Sequence, residues 1–96
     1  MKIRVKFLAT MAELTGTSTE DIELPTNASV KSALLFLAKR YGKNFYERMF
    51  EDSDPNKINR YIKLMINGRD VEFLDGLATR LKENDVLYIV PPIMGG

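Results

Sequence analysis

The chain closes on Val90-Pro91-Pro92-Ile93-Met94-Gly95-Gly96, and this segment holds the residues whose types and order best suit chemistry. Glycines without a Cβ fit a narrow channel and let reacting groups approach a terminal carboxylate closely. Two prolines favour an extended backbone, which lowers the entropy lost when a tail threads into a partner. Ile93 and Met94 supply apolar anchoring on the way. From Pro91 to Gly96 an extended chain reaches at most about 20 Å, enough to enter a neighbouring active site. A carboxylate is a poor electrophile until one oxygen becomes part of a leaving group. ATP achieves that: the carboxylate displaces pyrophosphate to give an acyl-adenylate, and sulfide or a thiol then attacks the Gly96 carbonyl and expels AMP. The product is a thiocarboxylate or a thioester, and attack by an amine gives an amide. No side chain of this sequence is needed. The competing account is coincidence: at average glycine usage two terminal glycines arise in roughly 0.5% of chains. Chance termini are usually frayed and polar. This one follows directly from a strand-like apolar run, which favours the chemical reading.

The rest of the composition points the same way. There is no Cys and no His among the 96 residues, so a thiol nucleophile, a histidine triad, the usual zinc ligand sets and a disulfide framework are all excluded. No catalytic side chain and no metal site is expected. Lys plus Arg number 14 against 13 Asp plus Glu, a net charge of +1 that makes no case for nucleic acid or an anionic membrane as partner. No apolar run approaches the roughly 18 residues of a membrane span. The opening Met1 to Lys6 alternates charged and apolar residues rather than forming a leader, so a cytoplasmic location is expected. Glu51, Asp52 and Asp54 lack the ligand spacing of a calcium loop and read as solvated. Phe45, Tyr46, Met49 and Phe50 read as core packing rather than a ligand site.

These residues need elements to position them. A hydrophobic content of 45% over this length suits one domain with a single modest core. Ile3, Val5 and Phe7 alternate with Lys2, Arg4 and Lys6, the pattern of a half-buried strand with a charged outer face. A weakly helical connection over 9–14 ends at Gly16, and Asp21 to Leu24 forms a second strand in a hairpin with the first. Val30, Ala33, Leu34, Leu37, Ala38 and Tyr41 fall at helical spacing, with Ser29 as the preferred N-cap and Gly42 as the stop. An insert over about 43–60 is expected to carry a short second helix and a polar loop, and to be the least standard and most mobile region. Tyr61 to Ile66 is a strand, Asn67-Gly68 a hairpin turn, and Val71 and Phe73 a short return strand. Leu77 and Leu81 pack a brief helical turn, and Val86 to Val90 is the last strand, ended by Pro91-Pro92. The order β-β-α-insert-β-β-β gives an α+β sheet with its main helix on one face.

With these residues in view the sequence resembles the ubiquitin-like sulfur carriers, in particular the small subunit of molybdopterin synthase and its archaeal-type relatives. The resemblance rests on the Lys2 to Leu8 strand, Leu34-Leu35-Phe36-Leu37 and Ile66-Asn67-Gly68-Arg69. Above all it rests on Leu81 to Gly96, which follows the family's closing pattern: leucine, Gly-Asp, a short apolar strand, Pro-Pro and Gly-Gly. Asn84 stands where that pattern has glycine, and Asn tolerates a positive φ. The resemblance implies a β-grasp fold over residues 1–96, with an insert longer than in the bacterial-type subunit and a tail at 91–96. It implies that Gly96 is the activated residue, with Gly95 preceding it in the channel and Pro91, Pro92, Ile93 and Met94 contacting the partner. An E1-like adenylating enzyme would use ATP to charge the tail, and the large subunit of molybdopterin synthase would receive its sulfur for a molybdenum or tungsten cofactor. Alternatives are a protein modifier joined through Gly96 to target lysines, sulfur delivery to thiamine or tRNA thiolation, and a plain β-grasp binding module. No bound cofactor is implied. A partner surface on the exposed sheet face is also implied. Phe7, Leu64 and Ile89 are nominated for it, although period 2 alone does not say which face is covered and core is the competing reading.

Overall fold

A computed structural model describes residues 1–92 of the chain. Five strands form one mixed sheet: β1 (Lys2–Phe7), β2 (Thr19–Glu23), β3 (Lys63–Ile66), β4 (Arg69–Asp70) and β5 (Val86–Val90). Their order is β2-β1-β5-β3-β4, with β1 and β5 parallel at the centre and every other pairing antiparallel. Helices α1 (Thr10–Thr15), α2 (Val30–Tyr41) and α3 (Lys43–Met49) complete the described elements, with short 3-10 turns after α3 and between β4 and β5. This is the α+β arrangement expected from the element order.

The main helix begins where Ser29 adopts an extended backbone and its Oγ accepts a hydrogen bond from the Ser32 N–H at 3.1 Å. That bond satisfies one of the amide donors left free in the first turn. Lys39 and Arg40 occupy the last turn, where cations complement the helix dipole. Val30, Ala33, Leu34, Leu37 and Ala38 turn inward against Ile3, Val5, Leu64, Leu87 and Ile89 of the sheet. The Phe7 ring meets Tyr41 edge-on at 5.7 Å and Phe45 at 6.4 Å, joining β1, α2 and α3 through one aromatic cluster. Above it the Glu20 carboxylate of β2 accepts from the Tyr41 hydroxyl and pairs with Arg40.

Two expectations change. The first concerns the 43–60 segment, expected to be the least standard region: it is built into the core, in agreement with the reading of its apolar residues as core packing. Phe45, Met49 and Phe50 are almost fully buried, because α3 turns their spaced apolar side chains to one side, and Phe50 bridges to Ile58 in β fashion. The second change is the return strand. Strand β4 is only two residues long, and Val71–Phe73 winds into a 3-10 turn instead of continuing the ladder. Asp70 explains the switch: its Oδ1 accepts the Glu72 N–H at 2.9 Å, offering the backbone a turn in place of a strand. Val71 is buried, but Phe73 is 81% exposed.

Because Phe45 lies in the shared core, Phe45→Ala is expected to lower unfolding free energy by about 3–5 kcal/mol in urea denaturation followed by circular dichroism. A loss below about 1 kcal/mol would mean that α3 contributes little to the cooperative unit.

Candidate functional site at the C-terminal exit

Strand β5 is hydrogen-bonded on both sides, to β1 along Arg4–Phe7 and to β3 along Lys63–Ile66. Its last pairing is Val90 opposite Lys63, and the Leu8 N–H donates to the Ile89 carbonyl at 3.2 Å. Pro91 follows at once. Proline has no N–H to offer a ladder, so pairing stops and the chain leaves the centre of the sheet. Pro91 is buried against the body and Pro92 is exposed. Gly95 and Gly96, like Ile93 and Met94, lie outside the described residues.

The opposite end of β5 is locked in register. The Asp85 carboxylate accepts the Lys82 N–H at 2.8 Å and the Asn67 Nδ2 donor at 2.9 Å, while Asn67 Oδ1 accepts the Val86 N–H at 2.9 Å. Asn67 and Gly68 both have positive φ, 52° and 88°, the geometry of the tight hairpin that their types predict. Asn84 has φ 68°, so asparagine does take the left-handed conformation for which the family pattern uses glycine. A one-residue slip would move Leu87 and Ile89 out of the core, and this network opposes it.

Register also decides which side chains face a partner. Phe7 and Leu64 are 2% exposed and Ile89 0%, so the three nominated surface residues belong to the core. They point to the helix-covered face, and their place in the proposed interface is corrected accordingly. The alternate positions line the open face: Lys6 beside Tyr88, Tyr88 opposite Met65, and Val90 opposite Lys63. Val86, Met65, Tyr88 and Val90 are half-buried and form an apolar stripe leading to Pro91, with Lys63 and Arg4 beside it. Lys63 Nζ sits 2.7 Å from Asp70 Oδ2. The hydrogen bond from Lys63, helped by the Glu72 N–H, lowers the Asp70 pKa below the usual carboxylate value, and the same bond raises that of Lys63. Arg4 does the same to Asp21 across the β1–β2 pair. No sequence signal distinguishes the two faces of β5 by itself; the charged Lys2, Arg4 and Lys6 mark the open face only once β1 and β5 are known to be parallel neighbours.

Beyond the sheet, a shallow groove of about 590 Å³ borders Pro92. Thr10, Glu13 and Leu14 of α1 form one part of it, and Arg48, Asn59 and Tyr61 form another. Asn59 holds the second part together: its Nδ2 donates to the Arg48 carbonyl at 3.1 Å and its Oδ1 accepts the Tyr61 N–H at 2.8 Å. Sequence reasoning missed Arg48 and Tyr61, because nothing local says that the insert folds back beside the tail. Among the described residues no cluster of acidic side chains is arranged to hold a metal ion, and no helix is long and apolar enough to cross a membrane.

Comparison with known proteins defines the class. The chain matches "Crystal structure of SAMP1 from Haloferax volcanii" with a TM-score of 0.85 and 25% identity over the whole of both chains, which makes the fold a β-grasp of the ubiquitin-like kind. The ThiS family model matches residues 5–96, and the chain belongs to that family. Small archaeal modifier protein 3 of Haloferax volcanii is 30% identical over 96 residues, covering both proteins completely. The molybdopterin synthase sulfur carrier subunit of Drosophila yakuba is 28% identical over 98 residues, covering all of this chain and 92% of that protein.

The Lys63–Asp70 pair supports a pH prediction. A carboxylate with depressed folded-state pKa contributes stability that is present above its unfolded pKa and is lost as pH falls through the folded value. The pair faces solvent, so the contribution is small. In an NMR titration the Asp70 midpoint is expected below the ordinary carboxylate range, and to rise toward it in Lys63→Met, where the Glu72 N–H bond remains. Equal midpoints in the two proteins would show that the pair is not held in solution.

Proposed function

We propose that this protein is a sulfur carrier activated at the Gly96 carboxylate and serving as the small subunit of a molybdopterin-synthase-like enzyme. The observation that carries the reading is the exit of β5: a central strand delivers the Pro91-Pro92 tail from a braced position beside an apolar open face. An E1-like enzyme binds ATP and forms the Gly96 acyl-adenylate with release of pyrophosphate. Sulfide then displaces AMP to leave a thiocarboxylate, and the large subunit accepts the sulfur to build the dithiolene of a molybdenum or tungsten cofactor. This chain supplies the reacting carboxyl group and the docking surface, and its partners supply the catalytic side chains. Its similarity to a molybdopterin synthase sulfur carrier subunit supports this assignment. Reaction in the cytoplasm accords with the demand for ATP.

A second use of the same adenylate is supported by the full-length similarity to a small archaeal modifier protein. In that use a lysine amine of a target protein attacks the Gly96 carbonyl, expels AMP and forms an isopeptide bond. The two outcomes share every step up to activation and differ only in the nucleophile.

Intact mass spectrometry after incubation with ATP, sulfide and the E1-like enzyme tests the first reading. The expected result is a gain equal to one oxygen exchanged for sulfur, mapped to Gly96 and absent after Gly96 is deleted. Adducts joined through Gly96 to lysine would favour the modifier use, and an unchanged tail with an enzyme active on another carrier would exclude activation by this route. On the open face, Tyr88→Asp is expected to weaken binding to the large subunit by roughly tenfold or more, by calorimetry, because it places an unpaired charge in an apolar contact. Unchanged affinity would remove the open face from the interface.

A further inference from the structure

We infer that Tyr61 and Arg48, beside the tail exit, form a second contact for the adenylating enzyme, one that meets an apolar slot and a carboxylate on that partner. The inference rests on the proposed activation at Gly96. Gly96 lies four residues beyond Pro92, and an extended segment of that length spans at most about 14 Å. An enzyme that brings ATP to the Gly96 carbonyl must therefore close on the surface around Pro92. A standard interface covers about 800 Å² on each partner, far more than a tail presents. The groove that borders Pro92 lies within that reach of the tail and offers part of the area.

The groove carries the two residue types that most often dominate binding energy, a tyrosine and an arginine. Tyr61 is 67% exposed, although its backbone is held by the Asn59 side chain at 2.8 Å. The Arg60 guanidinium lies 5.8 Å from the centre of its ring, and Arg60 is anchored in turn by Glu51, which accepts from its N–H at 2.8 Å and its Nε at 3.2 Å. An aromatic side chain presented from so constrained a backbone loses little entropy when a partner covers it. Arg48 is exposed and makes no ion pair among the described residues. Its forked guanidinium matches a carboxylate with two parallel hydrogen bonds. Glu13 on the same groove repels the several charges of a nucleotide polyphosphate more strongly than the single charge of a protein carboxylate, so the carboxylate is the better match for Arg48.

The test is ATP–pyrophosphate exchange by the adenylating enzyme, measured against the concentration of the full chain for wild type, Tyr61→Ala and Arg48→Glu. Thermal unfolding of each variant establishes that it is folded, and Tyr61→Phe, which keeps the ring, serves as a conservative comparison. The half-saturating concentration is expected to rise roughly tenfold in Tyr61→Ala and Arg48→Glu, with the maximal rate within about twofold of wild type, since the contact is remote from the reacting carbonyl. Tyr61→Phe is expected to stay near wild type. Unshifted saturation with normal wild-type exchange would overturn this inference alone. A faster rate in the variants would also overturn it, by showing that the groove shelters the tail. Absence of exchange with the wild-type chain would overturn the activation at Gly96, and this contact with it.

Discussion

The parallel pairing of β1 with β5 governs the molecule. Strands adjacent in the sheet come from the two ends of the chain, and the whole of α2, the insert and the β3–β4 hairpin must fit between them. Parallel neighbours cannot be joined by a tight turn, so the intervening chain has to cross over, and α2 packs against the sheet on the way. The same pairing makes β5 a central strand, buried on one face and bonded on both edges. A tail that left an edge strand could peel back into the ladder. One that leaves a central strand is braced up to Pro91, where the backbone loses its donor and must depart.

The core and the exposed surface follow from that one constraint. With β1 and β5 in register, Ile3, Val5 and Phe7 share a face with Leu87 and Ile89, and α2 covers it with five inward side chains. The charged partners of the alternation then share the opposite face with Tyr88 and Val86, and Met65 joins them through β3. A stripe of half-buried apolar side chains beside paired charges results from period 2 imposed on three strands at once. The Asn67–Asp85 network holds the register at the far end of β5.

The 43–60 segment shows how chain outside the sheet acquires a structural role. Phe45, Met49 and Phe50, read from the sequence as core packing, join the same core that α2 covers. Having anchored itself there, the segment returns toward β3 past the end of β5, and Asn59 stitches the two parts of its return together. A segment fixed in that way adds surface next to the tail without changing the sheet that delivers it.

Much of this architecture was legible in the residues. Helical spacing with Ser29 and Gly42 at its ends predicted α2, alternation predicted β1, an apolar run ended by Pro91-Pro92 predicted β5, and Asn67-Gly68 predicted the hairpin that joins β3 to β4. These signals are local, because capping, turn geometry and side-chain periodicity act over a few residues. The Val71–Phe73 turn was misread because Asp70 offers its carboxylate to the following backbone, a competition that a strand-forming composition hides. The burial of Phe7, Leu64 and Ile89 was open at the level of sequence, since alternation names two faces without saying which one a helix covers. By itself the sequence determined most of the elements, their order and the Pro-Pro and Gly-Gly motif that follows β5. Only tertiary structure decided which side of the sheet is free and which residues from distant segments stand beside Pro92. Both depend on contacts between strands and helices far apart in the chain, and no local interaction encodes them.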